Sequence, residues 1–313
     1  MPHVTFIHGI GNKLAPDQLR RHWLGALAEH DLDLDAQGVS SSLVYWADFL
    51  YPSPVVSEVD YEAATDVEDG SVPDIGMRWM VEATGEDAAL IERLAATIGF
   101  QELADDEPVR STVPPVEAEG FERVPLPPWL KRRLMKIFLR DVHHYLFDSE
   151  FSPRPGETYK IQDAIRKRVC EVLADGAGKE PPHVLVTHSM GTVIAYDCLK
   201  RVPGCPAVDG LLTIGSPLGL DDIQDGLKPE WSRPDGFPGA LLRGRWVNIY
   251  DPLDPVAGFD PDLAHDYQRA GVSVVEDFRE DNWGRWRHSI DKYFAGKTLR
   301  TKLAEVLGLS SVG

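Results

Sequence analysis

Short apolar runs and longer amphipathic stretches alternate along most of the chain. The apolar runs have strand length and predict buried strands, over residues 4–8, 42–46, 184–186, 211–214, 246–250 and 271–278. The amphipathic stretches carry apolar residues at helical spacing, over residues 16–30, 158–174, 192–201 and 290–307. In the second of these, Ile161, Ile165 and Val169 form one apolar stripe. We therefore expect an α/β domain.

Residues 51–156 depart from this alternation. Their apolar spacing predicts a helix over residues 75–98. A Pro-rich, acidic segment over residues 105–128 predicts an exposed loop. A basic, amphipathic helix is then predicted over residues 129–147. The central third of the chain is thus predicted to be mainly helical and separate from the repeating strands and helices.

Composition narrows the class of protein. At 313 residues with 43% hydrophobic content, the chain can form one large α/β domain with an inserted subdomain, or two domains. Its net charge of -18 argues against nucleic acid as a partner, because phosphate backbones need a basic face. The sequence contains no apolar run long enough for a membrane span and no pattern of a signal peptide.

The cysteines and the missing motifs point to a reduced compartment and to chemistry without a cofactor. The three cysteines, Cys170, Cys198 and Cys205, are an odd number without metal-ligand spacing, so we expect reduced thiols in a cytoplasmic protein. No phosphate-binding Gly-rich loop with a following Lys is present. The adjacent pair His143 and His144 cannot share one helix face, which argues against a metal site. We therefore expect no cofactor and no metal.

The segment from Thr187 to Gly191 has the form of a nucleophile elbow. It places Ser189 between the apolar run 184–186 and a helix-forming stretch, where a tight turn would expose the hydroxyl above the sheet edge. Such a turn requires little bulk two residues to either side of the serine. Gly191 meets that requirement, and Thr187 meets it only in part. An ordinary turn with a capping serine is the alternative.

Three further segments supply partners for this serine. The first strand ends in His8, Gly9, Ile10 and Gly11, where glycines let backbone N–H groups turn toward a developing oxyanion. The strand over residues 246–250 is followed by Asp251 and Asp254, and His288 lies in a loop near the C-terminus. The chain order is oxyanion loop, Ser, Asp, His.

With these segments the chain resembles an α/β-hydrolase, over residues 1–50 and about 157–313. The Gly215-Ser216-Pro217 turn is similar to one found in lipase-like members. The resemblance implies a small, mostly parallel sheet of about six strands flanked by helices, because two leading strands of larger relatives are missing. It also implies that residues 51–156 are an inserted cap or lid subdomain, because His8 and Ser189 are unusually far apart in sequence. The core domain is then residues 1–50 and 157–313.

Within this resemblance each catalytic role has a candidate residue. Ser189 is the nucleophile, and His288 is the favoured base over His265. Asp254 is favoured as the acid, because Asp254-Pro255-Val256 is similar to the turn that carries the acid in relatives, while Asp251 stays an alternative that could instead shape the turn. The oxyanion hole uses the backbone N–H groups of Ile10 and Met190.

Several other histidines are assigned lesser roles. His8 is expected to brace the oxyanion loop, and His188 is expected to point away from the site. His3 and His183 are expected at strand entries.

The expected function is hydrolysis of a carboxylic ester, with an acyl or lipid-like substrate, through an acyl-enzyme. An acyltransferase or thioesterase on the same fold is an alternative, as is a non-catalytic binding or regulatory module that uses the cap. A basic helix over residues 129–147 could touch a membrane surface. A lid without membrane contact is favoured, since anionic lipid would repel the acidic remainder of the chain.

Overall fold

The structure is a computed structural model that describes residues 1–56, 85–97, 128–284 and 286–309. Its strands are β1 (His3–Ile7), β2 (Ser40–Val44), β3 (Glu150–Arg154), β4 (Glu157–Lys160), β5 (His183–His188), β6 (Val208–Ile214), β7 (Leu242–Tyr250) and β8 (Val275–Arg279). Six of them form one parallel sheet in the order β2-β1-β5-β6-β7-β8, and β3 and β4 form an antiparallel hairpin. The prediction of a small, mostly parallel sheet of about six strands is confirmed.

The helices follow the strands in the order that parallel pairing requires, because each crossover must return the chain to the same end of the sheet. They are α1 (Pro16–Ala28), α2 (Glu86–Thr97), α3 (Pro128–Leu146), α4 (Ile161–Ala177), α5 (Met190–Arg201), α6 (Asp221–Gly226), α7 (Ile290–Ala295) and α8 (Lys297–Leu307). Short 3-10 turns lie at Ala47–Phe49, Arg233–Asp235, Gly239–Leu241 and Ala257–Phe259.

The helices cover both faces of the sheet, and two apolar clusters form the core. Along β1, Val4 and Phe6 pack with α1, α7 and α8, while Ile7 packs with α3, α4 and α5 on the other face. Successive strand side chains point to opposite faces, so a strand buried on both faces is largely apolar rather than alternating between apolar and polar residues. The apolar runs of the sequence therefore mark the central strands.

The helices form where the apolar spacing is helical. In α1, Pro16 occupies the first turn, where its missing N–H costs nothing, and Leu19, Trp23 and Leu27 are buried four residues apart. In α4, Ile161, Ile165, Val169 and Leu173 repeat the same spacing and are fully buried. Burial of each such side chain contributes roughly 1.5–3 kcal/mol.

Several predicted boundaries are wrong. The helix predicted from residue 158 begins at Ile161, because residues 157–160 pair with 150–154 as a hairpin. The closing helix is broken at Gly296, where the Glu280 carboxylate accepts a hydrogen bond from Leu299 N at 3.0 Å and occupies the space that a side chain at residue 296 would need.

Other differences concern strand ends and one loop. The second strand is Ser40–Val44 and the last is Val275–Arg279, rather than residues 42–46 and 271–278. Between β6 and β7 the chain also forms the short helix α6.

The predicted cap, residues 51–156, contains the described helices α2 and α3 and strand β3, whereas the hairpin partner β4 begins at residue 157 in the predicted core domain. The predicted loop over 105–128 lies outside the described residues except for residue 128, and so does the part of the predicted 75–98 helix before residue 85. Helix α3, predicted as a lid without membrane contact, is buried over residues 137–145 and contributes to the same apolar cluster as α4 and α5. Its Arg140 is buried too and pairs with Asp141. Whether residues 51–156 form a subdomain stays a prediction.

In the described ranges, no helix combines the length and apolar character needed to cross a membrane.

Candidate active site

The predicted site residues all follow the carboxyl ends of parallel strands of the six-stranded sheet. The loop over residues 8–11 follows β1, Ser189 follows β5, and Asp254 and His288 come after β7 and β8. Since these strands run in one direction, their following loops lie at one edge of the sheet, which is where ligands bind in open α/β sheets.

Ser189 occupies a strained turn between β5 and α5. Its backbone has φ 54° and ψ -127°, a conformation that costs a non-glycine residue roughly 1–3 kcal/mol. The turn is held on both sides, because Ser189 N donates to Ile214 O at 2.9 Å and Thr192 Oγ1 donates to Ser189 O at 2.7 Å. This is the geometry expected of a nucleophile elbow, and it differs from that of a serine capping a helix by its side chain.

The close packing around the turn explains which residues must be small. A Cβ at Gly191 would lie 2.6 Å from Ile7 O, and a Cβ at Gly9 would lie 2.7 Å from Ser189 Cβ. Thr187, larger than the glycine of the usual motif, fits because it is still in β5 and its hydroxyl donates to Leu212 O at 2.9 Å.

His288 and Asp254 form a buried pair. His288 Nδ1 lies 2.9 Å and 2.8 Å from the two carboxylate oxygens of Asp254. The carboxylate also accepts hydrogen bonds from Val256 N at 2.7 Å and from the Tyr293 hydroxyl at 2.8 Å. Burial by itself would raise the pKa of Asp254, but His288 and these hydrogen bonds outweigh it and hold the pKa below its ordinary value.

Asp251, the alternative acid, has other partners. Its carboxylate accepts hydrogen bonds from Leu253 N at 2.7 Å and Asn282 N at 2.7 Å, and it forms an ion pair with Arg287 at 3.0 Å. Asp251 therefore joins the turn after β7 to the loop after β8. Of the two aspartates, the structure brings Asp254 to His288.

Ser189 Oγ and His288 Nε2 are both buried, and neither has a hydrogen-bond partner among the described residues. Because a carboxylate can only accept, the Asp254 contact places the imidazole proton on Nδ1. Nε2 of a neutral His288 then carries a lone pair that can accept a proton, which is the form that a general base needs.

The two predicted oxyanion donors are available. Within the described ranges, neither Ile10 N nor Met190 N donates a hydrogen bond to the protein. The loop that carries Ile10 is braced by His8, whose Nε2 accepts from Trp46 N at 3.0 Å and whose Nδ1 therefore donates to Gly9 O at 2.8 Å. Burial, followed by Lys13, holds the pKa of His8 well below its ordinary value, which keeps this donor arrangement intact.

The remaining histidines differ from the expectations in one case. His188, expected to point away from the site, packs on His288 with ring centroids 4.7 Å apart, and its Nε2 lies 2.9 Å from His288 O. Burial lowers its pKa far below the ordinary value, so it is neutral there. His265, the weaker candidate base, lies 3.3 Å from Asp266 instead.

One group of described residues has the spacing of metal ligands. The candidate ligand atoms of Asp260, His265 and Asp266 lie within 4.8 Å of one another. The Asp266 carboxylate is already paired with Arg233 at 2.8 Å and accepts from Gln224 at 3.0 Å. Arg233 thus compensates the charge of Asp266 within the protein, and Gln224 adds a neutral hydrogen bond.

Sequence reasoning missed Tyr293 and Asp141. Tyr293 lies in α7, where its spacing indicates only a buried helix position. Asp141 lies in α3, and its carboxylate accepts a hydrogen bond from Gly11 N in the oxyanion loop at 2.9 Å. A charged pair, Arg140 and Asp141, inside the apolar part of that helix was the one local signal available.

A family model described as "Alpha/beta hydrolase family" matches residues 127–306, which is more than half of the chain. The match includes Ser189, Asp254 and His288, and it begins just before α3. The oxyanion loop lies outside it. Among curated proteins, no match to the chain is found.

Proposed function

The chain belongs to the alpha/beta hydrolase family, and from that membership we propose that it is a serine hydrolase that cleaves a carboxylic ester. One observation carries the proposal. A strained serine and a histidine nitrogen, both buried and both without a partner in the described ranges, accompany an aspartate bound to the other nitrogen of that histidine. This is the set of groups that nucleophilic catalysis by serine requires.

In the proposed mechanism, Ser189 Oγ attacks the ester carbonyl carbon while His288 Nε2 takes the hydroxyl proton. The carbonyl oxygen becomes an oxyanion, which accepts hydrogen bonds from Ile10 N and Met190 N. Each such donor is worth roughly 2.7–4 kcal/mol of transition-state stabilisation. Asp254 keeps the imidazole in the required tautomer and stabilises the imidazolium.

The intermediate then collapses and the C–O bond to the leaving alcohol breaks. The departing oxygen takes the proton from His288, and the acyl group stays on Ser189. A water molecule attacks this acyl-enzyme while His288 again takes a proton. Collapse of the second intermediate returns the proton to Ser189 Oγ and releases the carboxylic acid.

We propose an ester with an apolar acyl group as the substrate class. Met190 belongs to the apolar cluster on the α3 side of the sheet, and Ile10 packs against it. The two residues that would bind the oxyanion are therefore set in apolar surroundings on that side. An apolar acyl group bound beside these residues would lose little hydration energy in comparison with a polar one.

A cytoplasmic location accompanies this proposal. Cys170, Cys198 and Cys205 are free thiols. Reduced thiols of this kind are usual where glutathione keeps cysteines unpaired.

The test is intact-mass analysis after exposure to a fluorophosphonate, on wild type and on Ser189→Ala, His288→Ala and Ser216→Ala. Ser216 is the matched control, because it is a buried serine that follows β6 at the same sheet edge and hydrogen-bonds to Thr192. We expect one adduct on wild type and on Ser216→Ala, none on Ser189→Ala, and slow labelling of His288→Ala. Labelling of Ser189→Ala at the wild-type rate would refute the assignment.

A folded wild-type protein that forms no adduct would favour the binding module instead. If the adduct does form on Ser189, turnover is measured next with esters of increasing chain length, and an added alcohol or thiol is used to detect acyl transfer. Products that partition mainly to the added acceptor would identify the enzyme as an acyltransferase.

A further inference from the structure

The peptide unit between Ile10 and Gly11 is held from both sides by charged groups. Gly11 N donates to Asp141 Oδ2 at 2.9 Å, and Lys13 Nζ donates to Ile10 O at 2.5 Å. Because a peptide unit is planar, these two contacts fix its orientation. The preceding unit is fixed as well, since His8 Nδ1 donates to Gly9 O at 2.8 Å.

The Ile10 N–H group lies in the Gly9–Ile10 plane, and the Cα of Ile10 joins that plane to the Ile10–Gly11 plane. Holding both planes therefore fixes the direction of the Ile10 N–H group. The flanking residues cannot do this alone. Gly9 and Gly11 have no side chain to restrict them, and Gly11 has φ 82°, one of several conformations that glycine adopts at similar cost. Contacts from outside the loop must therefore select the conformation in which Ile10 N is left available.

The Asp141 carboxylate is held in place by other residues. Its side chain is fully buried, and Arg140 binds it through Nε at 3.0 Å and through a terminal nitrogen at 2.7 Å. The Tyr51 hydroxyl adds a contact at 3.3 Å. Both Arg140 nitrogens donate to Oδ1, which compensates the negative charge and leaves Oδ2 to accept from Gly11 N without opposing an oxyanion nearby.

From this geometry we infer that Asp141, on helix α3, is a positioning residue that orients the Ile10 amide of the oxyanion hole, acting with Lys13. The inference rests on the proposed function, because the Ile10 amide needs orientation only if it binds an oxyanion. It assigns α3 a role in the transition state in addition to its packing in the core. Asp141 thereby fixes the conformation of the loop after β1, although it lies more than a hundred residues away in the sequence.

The test compares Asp141→Asn and Lys13→Met with Tyr51→Phe. Asn cannot accept from Gly11 N and from Arg140 as the carboxylate does, and Met removes the donor to Ile10 O. Tyr51→Phe is the matched control. It removes a neutral contact to the same carboxylate, keeps the ring under the Arg140 guanidinium at 4.5 Å, and leaves both loop contacts in place.

The readouts are inhibition by an alkyl boronic acid, whose tetrahedral adduct places an oxygen in the oxyanion hole, and KM and kcat for an ester. We expect Asp141→Asn and Lys13→Met to weaken boronate inhibition and lower kcat by about tenfold or more, with KM changed less than about threefold. Tyr51→Phe should stay close to wild type. Amide hydrogen exchange should become faster over residues 9–11 in Asp141→Asn.

The outcomes separate the two proposals. If wild type hydrolyses esters and folded Asp141→Asn keeps its boronate affinity and kcat, the inference is wrong and the proposed function stands. The same holds if Tyr51→Phe loses as much as Asp141→Asn, since the effect would then be general loosening of α3. If wild type forms no serine adduct and hydrolyses no ester, the proposed function fails and the inference fails with it. Should Asp141→Asn not fold, Lys13→Met decides on the same readouts.

Discussion

Gly215 lies directly beside the Asp254–His288 pair and gives a sharp test of the site geometry. It follows β6, has φ 55°, and donates its N–H to Ile249 O at 3.0 Å. A Cβ at this position would lie 3.0 Å from Asp254 Oδ2 and 3.1 Å from His288 Nδ1. Gly215→Ala therefore places a methyl group against the hydrogen bond that joins the predicted acid to the predicted base.

The magnitude has two parts. A left-handed backbone costs an alanine roughly 1–2 kcal/mol. Overpacking a close-packed site costs roughly 1–3 kcal/mol more, because the two side chains must each give way by a few tenths of an ångström. The free energy of unfolding should thus fall by about 2–5 kcal/mol in total.

Gly204→Ala is the matched control for the backbone part. Gly204 has φ 80°, and a Cβ there would meet no heavy atom within 4 Å. This variant should lose only the roughly 1–2 kcal/mol that the left-handed conformation costs. The difference between the two variants measures the crowding at Asp254 and His288.

Activity separates the variants further. A displacement of about 1 Å at a reacting group can lower the rate roughly 10²-fold, so a shift of a few tenths should slow labelling of Ser189 about tenfold. Urea unfolding and the second-order rate of fluorophosphonate labelling are the assays. Equal unfolding free energies for Gly215→Ala and Gly204→Ala, together with wild-type labelling in both, would refute the geometry described for this pair.

Four other substitutions test contacts near the site and the pH dependence of stability. Asp254→Asn should lower kcat by about 10⁴-fold in a folded protein, because the imidazole is held in the wrong tautomer. Asp251→Asn should instead lower the free energy of unfolding in urea by about 3–5 kcal/mol, because it removes the carboxylate that pairs with the buried Arg287. If Asp251→Asn lost activity and Asp254→Asn lost stability, the roles assigned to the two aspartates would be exchanged. Tyr293→Phe removes a hydrogen-bond donor that stabilises the ionised Asp254 carboxylate. The midpoint of the acid limb of the pH–rate profile should therefore move to higher pH by up to about one unit, and an unchanged midpoint would contradict this. Burial lowers the pKa of His183 to about 4, so folding keeps it neutral while the unfolded chain binds a proton below about 6.5. The contribution of His183 to stability is therefore fully present above that pH and is lost toward pH 4, by at most about 1.4 kcal/mol per pH unit, and His183→Gln should remove this part of the pH dependence in urea titrations.

Local sequence patterns determined the elements of the core and the candidate nucleophile. Central strands and amphipathic helices have their own periodicities, so β5, α1 and α4 could be predicted from short windows. Ser189 could be predicted because an elbow needs small neighbours at fixed spacing, and Gly191 supplies one where a Cβ would strike Ile7 O. A catalytic role for the segment from Thr187 to Gly191 is part of the proposed function.

The hairpin of β3 and β4 and the break at Gly296 could not be predicted in this way. The hairpin strands are short and only partly buried, so they have no hydrophobic period that distinguishes them from a loop or a helix start. The helix break depends on Glu280, a residue outside the helix that reaches into the gap. Neither the strand pairing of the hairpin nor the Glu280 contact can be predicted from the local sequence pattern.

The same division holds within the candidate site. Asp251 and Asp254 lie in the same turn after one strand. The sequence could favour Asp254 as the acid, but it could not predict which residue each aspartate contacts. The packing of the β8 loop against that turn brings His288 to Asp254 and Arg287 to Asp251. Sequence by itself therefore determined which residue types end each strand, because that depends on local periodicity and turn sterics. Only the tertiary structure decided which side chains pair, including Tyr293 with Asp254 and Asp141 with Gly11, because pairing depends on contacts between segments far apart in the chain.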